Sequence, residues 1–180
     1  MRNIHTVVVH CSDTPPGWRA DEPPAAHVAE IRRWHVEDNG WSDIGYHAVV
    51  ARNGEEVAGR PLERIGAHVK GHNRDTAAVC LIGGKGCNAD DDPYEHFTLE
   101  QLATAREIIM RWSLQLGVTL QVRGHNEYAA RPCPGFNVPM WWREEPRPAG
   151  PSKPIIIETP MLARPSPRLG WWDRLWESLA

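Results

Sequence analysis

Three residues of the chain have side chains that bind zinc in enzymes, and two of them lie close together in sequence. His125 and Cys133 are eight positions apart in the segment 123–136, and His10 ends an apolar run near the start of the chain. Imidazole and thiolate are preferred zinc ligands, and three protein ligands with one open position are typical of a catalytic zinc. Such a site polarises a carbonyl and activates water, which is the chemistry of amide or ester hydrolysis.

Spacing alone leaves other interpretations open. The chain has nine histidines, and a single histidine is more often a surface or core residue than a ligand. A closed structural site with Cys11 as fourth ligand is a further alternative. Because successive side chains of a strand point to opposite faces, His10 and Cys11 are not expected to reach one ion if the strand extends that far.

The elements that must position these residues alternate between strands and helices. Apolar runs predict strands over 5–10, 46–51, 77–82 and 118–122, and the Asn-Gly turn at 53–54 predicts a hairpin to a return strand over 55–59. Apolar spacing predicts helices over 26–37 and 99–116, the second opened by a capping-box sequence at 98–101. We therefore predict an α/β fold, a single domain with a central mixed β-sheet flanked by helices and the zinc site at the strand ends. Three tryptophans are assigned to the core: Trp34, Trp41 and Trp112.

Composition and charge exclude several functional classes. Hydrophobic residues make up 41% and charged residues 24% of the chain, and the net charge of -3 does not suit an electrostatic nucleic-acid binder. No apolar stretch approaches the ~18 residues of a membrane span. The N-terminus lacks the pattern of a signal peptide, so we expect synthesis in the cytoplasm without one. Cys80 is predicted to be buried and Cys87 to lie in a loop.

The composition changes after residue 142. Seven of the sixteen prolines lie between residues 143 and 168, which predicts an extended linker over 143–169 after a catalytic domain over 1–142. Residues 170–180 place Trp172, Leu175, Trp176 and Leu179 on one face of an amphipathic helix. Three interpretations stay open for this helix: it docks on its own domain, it self-associates, or it touches the cell envelope.

Six motifs follow one another along residues 4–142. They are HCSDT from His10, IRRWHVEDNGWSDIGYH at 31–47, RNGEEVAGR at 52–60, GAHVKGHN at 66–73, VCLIGG at 79–84 and the segment 123–136. Taken together, they resemble the T7-lysozyme-type N-acetylmuramoyl-L-alanine amidases, a zinc amidase family that includes the peptidoglycan recognition proteins and phage endolysins.

The resemblance implies Zn²⁺-dependent cleavage of the amide bond between N-acetylmuramic acid and L-alanine in peptidoglycan. It implies His10, His125 and Cys133 as the metal ligands. It also places the family's active-site tyrosine at Tyr46. His68 falls at a family position that lines the substrate cleft, which makes it a candidate substrate-binding residue.

The chain departs from many members of that family at Arg131, where they have an active-site lysine. Arginine stays protonated at any working pH, so Arg131 can donate hydrogen bonds and hold positive charge but cannot exchange protons. We therefore assign it to stabilising the tetrahedral oxyanion. Proton handling then involves the attacking water, with Tyr46 as the relay or orienting group.

Two alternatives to an endolysin remain at this stage. One is a non-catalytic peptidoglycan-binding or regulatory protein of the same fold, which would be expected to lose the third ligand, whereas Cys133 is present. The other is an amidase that acts on free muropeptides during wall recycling. An endolysin would wait in the cytoplasm, act on the cell wall after release, and have peptidoglycan rather than nucleic acid as its partner.

Overall fold

Two strands that are buried along their whole length form the centre of a five-stranded sheet. The computed structural model describes residues 2–147. Strand β1 spans Thr6–Cys11, and every one of its residues is buried. Strands β2 (Ala48–Val50) and β3 (Glu56–Ala58) form the predicted hairpin, β4 spans Thr76–Leu81, and β5 spans Gln121–Gly124.

The sheet is mixed, as the sequence predicts. Its strand order is β3-β2-β4-β1-β5. β1 pairs in parallel with both β4 and β5, β2 pairs in parallel with β4, and only β3 is antiparallel to its neighbour. Because carboxyl ends of parallel strands lie at the same edge of a sheet, the residues that follow β1, β4 and β5 come together there.

Helices cover both faces of this sheet. Helix α1 spans Pro24–Arg33 and continues as a π-helical turn over Trp34–Asp38, α2 spans Pro93–His96, α3 spans Leu99–Leu116 and α4 spans Val138–Arg143. Val28 and Ile31 of α1 pack with Cys80 on one face. On the other face, residues of α3 and α4 such as Ile108 and Trp141 share a larger core with alternate residues of β1 and β4.

Three differences from the predicted elements have local causes. The strand predicted at 118–122 begins only at Gln121, because Gly117 is in the left-handed conformation (φ +67°) and the Val118 amide donates to the Ser113 carbonyl at 3.2 Å, which closes α3. The helix predicted over 26–37 changes to π-helical geometry at Trp34. Helices α2 and α4 were not predicted, and each begins at a short polar cap, Asp92 or Asn137.

The packed part of the chain extends past residue 142. Helix α4 ends at Arg143, and Arg147 forms an ion pair with Asp92 at 2.7 Å and lies over the Tyr94 ring. The predicted linker over 143–169 therefore begins within the described residues, whereas the predicted helix over 170–180 lies outside them. In the part of the chain that the structure describes, no helix combines the length and apolarity needed to cross a membrane.

Gln101 joins the start of α3 to the centre of the sheet. Its backbone amide donates to the Thr98 hydroxyl at 3.1 Å, and its Oε1 accepts from the Thr98 amide at 3.2 Å, which completes the predicted capping box. Its Nε2 donates to the carbonyls of Val50 and Ile82 at 3.0 and 2.9 Å, and the residue is fully buried. The Gln101 side chain thus completes the cap of α3 and donates hydrogen bonds to carbonyls at the ends of two strands.

We expect Gln101→Ala to lower the free energy of unfolding by about 2–4 kcal/mol, since it removes part of the helix cap and the side-chain donor to the buried carbonyls of Val50 and Ile82, of which Val50 keeps only the Ile82 amide as donor. Urea denaturation followed by circular dichroism measures the change. Gln115→Ala is the matched control, because Gln115 lies exposed in the same helix. Equal stability of the two variants would contradict this account of Gln101.

Candidate metal centre and active site

The parallel pairing of β1 and β5 brings the two predicted histidine ligands together. Val9 is level with Gly124 in the register of the two strands, so the next residues along each strand are His10 and His125. Their ring centroids are 4.6 Å apart. The prediction that His10 and His125 meet at the strand ends is confirmed.

Cys133 returns to the same edge through a tight loop after β5. The Asn126 amide donates to the Cys133 carbonyl at 2.7 Å, which closes the loop. The amide of Cys11, the last residue of β1, donates to Cys133 Sγ at 3.2 Å. This contact holds the sulfur at the edge of the sheet where His10 and His125 lie.

The three side chains form a donor set that fits a zinc ion. His10, His125 and Cys133 each offer one ligand atom, and these atoms lie within 4.8 Å of one another. His10 is only 1% exposed, whereas His125 and Cys133 are half-buried. Cys11 does not join the set, because its side chain packs into the core with Cys87 and Phe97. Two nitrogens and one sulfur, accessible from one side, match the open type of zinc site rather than the closed structural type.

Burial keeps both imidazoles neutral and able to coordinate. It lowers the pKa of His10 well below its usual value, with smaller contributions from His68 and His125. Burial also lowers the pKa of His125 to about 4, and the nearby Arg131 guanidinium adds to this effect. A metal would therefore not have to displace a proton from either ring near neutral pH.

Two cavities adjoin the donor set and share part of their walls. One, of about 520 Å³, is lined by Tyr46 and Cys133. The other, of about 720 Å³, is lined by Trp41 and His68, and both include His125 and Arg131. A cavity of about 780 Å³ beside α4 contains none of the predicted site residues, so its size alone does not make it the functional site.

Tyr46 lies beside His10. Its ring centroid is 5.2 Å from that of His10 and 5.3 Å from that of His35. The position is fixed by the backbone, since the Arg60 amide donates to the Tyr46 carbonyl at 2.9 Å. Burial raises the pKa of the Tyr46 phenol well above its usual value, so the hydroxyl keeps its proton and can donate a hydrogen bond.

Arg131 occupies the boundary between the two cavities. It is exposed, and within residues 2–147 its guanidinium forms no ion pair. Its charge nevertheless acts on the site, because it lowers the pKa of both His10 and His125. An uncompensated cation at this place is suited to meeting negative charge that develops on a substrate.

His68 is buried, unlike a residue that binds substrate at the surface. It is 8% exposed, and its Nδ1 lies 3.1 Å from Nε2 of His10. It reaches the 720 Å³ cavity only at the inner wall. The role predicted for it in substrate binding stays a prediction, while its direct side-chain contact is with His10.

One aromatic prediction was wrong. Trp112 is buried and Trp34 packs against the core, but Trp41 is 37% exposed, stacks on His35 with centroids 4.6 Å apart and lines the cavity beside His68. Helical spacing does not continue to Trp41, because the chain leaves the helix at Gly40 with φ +70°. The sequence also gave no signal that the loop 83–87 after β4 would line the other cavity.

Comparison with known proteins agrees with this geometry. The family model described as N-acetylmuramoyl-L-alanine amidase matches residues 1–136. The chain belongs to this amidase family. The endolysin of Escherichia phage T7 is 36% identical to this amidase over 139 residues, covering 77% of this chain and 85% of the relative. The human N-acetylmuramoyl-L-alanine amidase is 29% identical over 136 residues, which cover 69% of this chain and 22% of that protein.

Solved structures share the fold of this amidase. The amidase LysC of Clostridium intestinale superposes with a TM-score of 0.61 at 23% identity, over 77% of this chain and 81% of that one. The complex of the peptidoglycan recognition proteins LCa and LCx with tracheal cytotoxin gives 0.65 at 25% identity, over 81% and 84% of the two chains. The α/β prediction is therefore confirmed by both the sheet and the relatives.

Buried histidines make the stability of the metal-free amidase depend on pH. Burial lowers the pKa of His47 and of His35 to about 4 each, whereas an unfolded histidine titrates near 6.5. The unfolded chain thus binds more protons between these values, and the stability present above about pH 6.5 is lost as the pH falls towards 4. We expect the urea midpoint of the metal-free chain to fall between pH 7.5 and 5.5.

Substitution separates this effect from general acid sensitivity. His47 accepts from the Ala78 amide at 3.0 Å and donates to the Arg64 carbonyl at 3.1 Å, and His47→Gln offers an acceptor and a donor without the titration. This variant should show a smaller pH dependence than the unmodified chain. His5→Gln, at a half-exposed site, is the control. An unchanged pH dependence in His47→Gln would show that burial of this ring is not responsible.

Proposed function

We propose that this amidase is a zinc-dependent, endolysin-like enzyme that hydrolyses the amide bond between N-acetylmuramic acid and L-alanine in bacterial peptidoglycan. The observation that supports this best is the convergence of His10, His125 and Cys133, with ligand atoms within 4.8 Å of one another, in a chain of the N-acetylmuramoyl-L-alanine amidase family. Three phage endolysins match over 85% of their own length, and endolysins act on the cell wall.

We assign the three donors to holding the metal. A zinc ion held there supplies Lewis acidity, which polarises a carbonyl and makes water acidic enough to attack near neutral pH. The burial of the donor residues limits the side from which the substrate carbonyl can approach. His10 closes the buried side, so the substrate approaches from the cavities beside His125 and Cys133.

Arg131 is proposed to stabilise the negative charge that develops on the carbonyl oxygen. Its guanidinium is exposed at the boundary of both cavities, and its charge is already felt by the two histidines. Since arginine does not release its proton at working pH, this contribution is electrostatic.

Tyr46 is proposed to orient the attacking water or the leaving amide nitrogen through its hydroxyl. The phenol keeps its proton because burial raises its pKa, so it acts as a hydrogen-bond donor. Its place in the wall of the cavity that Cys133 also lines supports this role.

Peptidoglycan is proposed as the substrate on the basis of the family. A complex of two peptidoglycan recognition proteins with tracheal cytotoxin has the same fold, which supports a ligand of the peptidoglycan type for the 720 Å³ cavity. A non-catalytic binding protein and an amidase of free muropeptides are the alternatives that the experiment has to separate.

The first experiment measures amide hydrolysis and zinc content together. Purified peptidoglycan should release new N-terminal L-alanine, and a chelator should abolish the release until zinc is returned. Cys133→Ser should lose bound zinc and activity, since it removes the thiolate. Cys80→Ala is the matched control, because Cys80 is a buried cysteine that is not among the three residues of the donor set, and it should keep one zinc per chain.

Three outcomes would speak for the alternatives. Binding to peptidoglycan without release of L-alanine at full zinc occupancy favours a binding protein. Release from soluble muropeptides but not from intact wall favours a recycling enzyme. Release that survives complete removal of metal would overturn the zinc-dependent mechanism.

A second experiment tests the charge role of Arg131. Arg131→Lys keeps the positive charge and should retain kcat within about tenfold, whereas Arg131→Gln should lower kcat by roughly 10²–10³, the usual effect of losing one oxyanion donor. Zinc content should stay unchanged in both variants. An inactive Arg131→Lys that still binds zinc would show that guanidinium geometry, and not charge alone, is required.

A further inference from the structure

A chain of hydrogen bonds runs from His10 away from the cavities and into the protein. Nε2 of His10 lies 3.1 Å from Nδ1 of His68, and Nε2 of His68 lies 3.3 Å from the Thr76 hydroxyl. The same hydroxyl donates to the carbonyl of His72 at 2.6 Å. His10, His68 and Thr76 are 1%, 8% and 2% exposed, so water does not compete for these contacts.

The carbonyl at the end of this chain fixes the direction of every bond. A carbonyl can only accept, so the single hydroxyl proton of Thr76 is used in the bond to His72. Oγ1 of Thr76 must then accept from Nε2–H of His68. Both rings are buried and, among residues 2–147, neither faces a carboxylate within salt-bridge distance, so each holds one proton.

The donor and acceptor roles of His68 in turn determine those of His10. With its proton on Nε2, His68 presents the lone pair of Nδ1 and accepts from Nε2–H of His10. The lone pair of His10 is thereby left on Nδ1, which lies 3.9 Å from Cys133 Sγ. We infer that His68 and Thr76 are positioning residues, which fix the tautomer and ring orientation of His10 so that Nδ1 faces the metal site.

The surroundings of His68 hold it in this arrangement. The amides of His68 and Val69 both donate to Oδ1 of Asn73 at 2.9 Å, which ties the loop before β4. Gly66 leaves room for the ring, because a Cβ there would lie 2.6 Å from Cδ2 of His68. Thr76 is the first residue of β4 and pairs in register with Thr6 of β1, so the loop leads directly into the strand that lies beside the strand of His10.

The effect on zinc binding rests on the proposed metal site, whereas the hydrogen bonds themselves do not depend on it. Partners of metal-binding histidines raise ligand basicity, and their loss typically weakens metal affinity 10–100-fold. The tautomers, in contrast, are a property of the metal-free chain. The two can be measured separately, so a failure of the proposed zinc chemistry and a failure of the hydrogen-bond chain give different results.

The decisive measurement is long-range ¹H–¹⁵N spectroscopy of the histidine rings in the metal-free full chain. We expect both His10 and His68 to carry their proton on Nε2. A proton on Nδ1 of either ring would overturn the inference. This outcome would leave the proposed amidase activity untouched, because that activity is measured separately by L-alanine release.

Substitution of Thr76 tests the consequence. Thr76→Val removes the acceptor for His68 at nearly constant shape, and we expect a mixed His68 tautomer and a zinc Kd raised about 10–100-fold in competition with a chelator. Thr76→Ser restores the hydroxyl and should restore both values. Thr6→Val is the matched control, since Thr6 is a buried threonine level with Thr76 but outside the chain of bonds.

Two results would contradict a positioning role. One is a zinc Kd in Thr76→Val equal to that of Thr6→Val. The other is a Thr76→Ser variant that remains as weak as Thr76→Val, since a purely steric effect of the strand would then explain the loss. If Thr76→Val does not fold, the spectrum of the unmodified chain still decides the direction of the hydrogen bonds.

Discussion

The parallel pairing of β1 with β5 is the constraint on which the candidate site depends. It places His10 and His125, which are far apart in sequence, one residue beyond the paired Val9 and Gly124. The last amide of β1 then donates to Cys133 Sγ, so the same strand end carries one candidate ligand, His10, and holds the sulfur of another. Because β1 lies between β4 and β5 and is wholly buried, this arrangement cannot shift without disturbing the centre of the sheet.

Burying imidazoles beside a core costs free energy unless their nitrogens find partners. Here His47 bonds to the backbone at both ring nitrogens, and His68 lies between Thr76 and His10. These bonds offset part of the cost of desolvation and lock the rings in place. The donor set is therefore formed by the fold itself rather than assembled by an ion, which explains how ring orientation can be controlled from the far side of the site.

The sequence was sufficient for the five strands, for the two longer helices and for the meeting of two candidate ligands. Strands and the Thr98–Gln101 cap follow from local patterns, and strand ends bring His10 and His125 together by a general rule of parallel sheets. The family resemblance was needed to favour His10, His125 and Cys133 over the other histidines and cysteines of the chain, since spacing alone left other interpretations open. The His68–Thr76 contact was not predictable because it depends on how the loop before β4 folds around Asn73. Trp41 was misassigned because its exposure follows from the chain leaving the helix at Gly40.

Four groups of the candidate site keep the same charge near neutral pH. Burial keeps the proton on Tyr46 and keeps the rings of His10 and His125 neutral, and arginine stays protonated. A lysine at position 131 could exchange a proton with the reaction, whereas Arg131 can offer positive charge and hydrogen bonds but no proton. Between about pH 5 and 9 these four groups thus present a constant electrostatic field. We therefore expect no pH dependence of catalysis in that range to arise from these four groups.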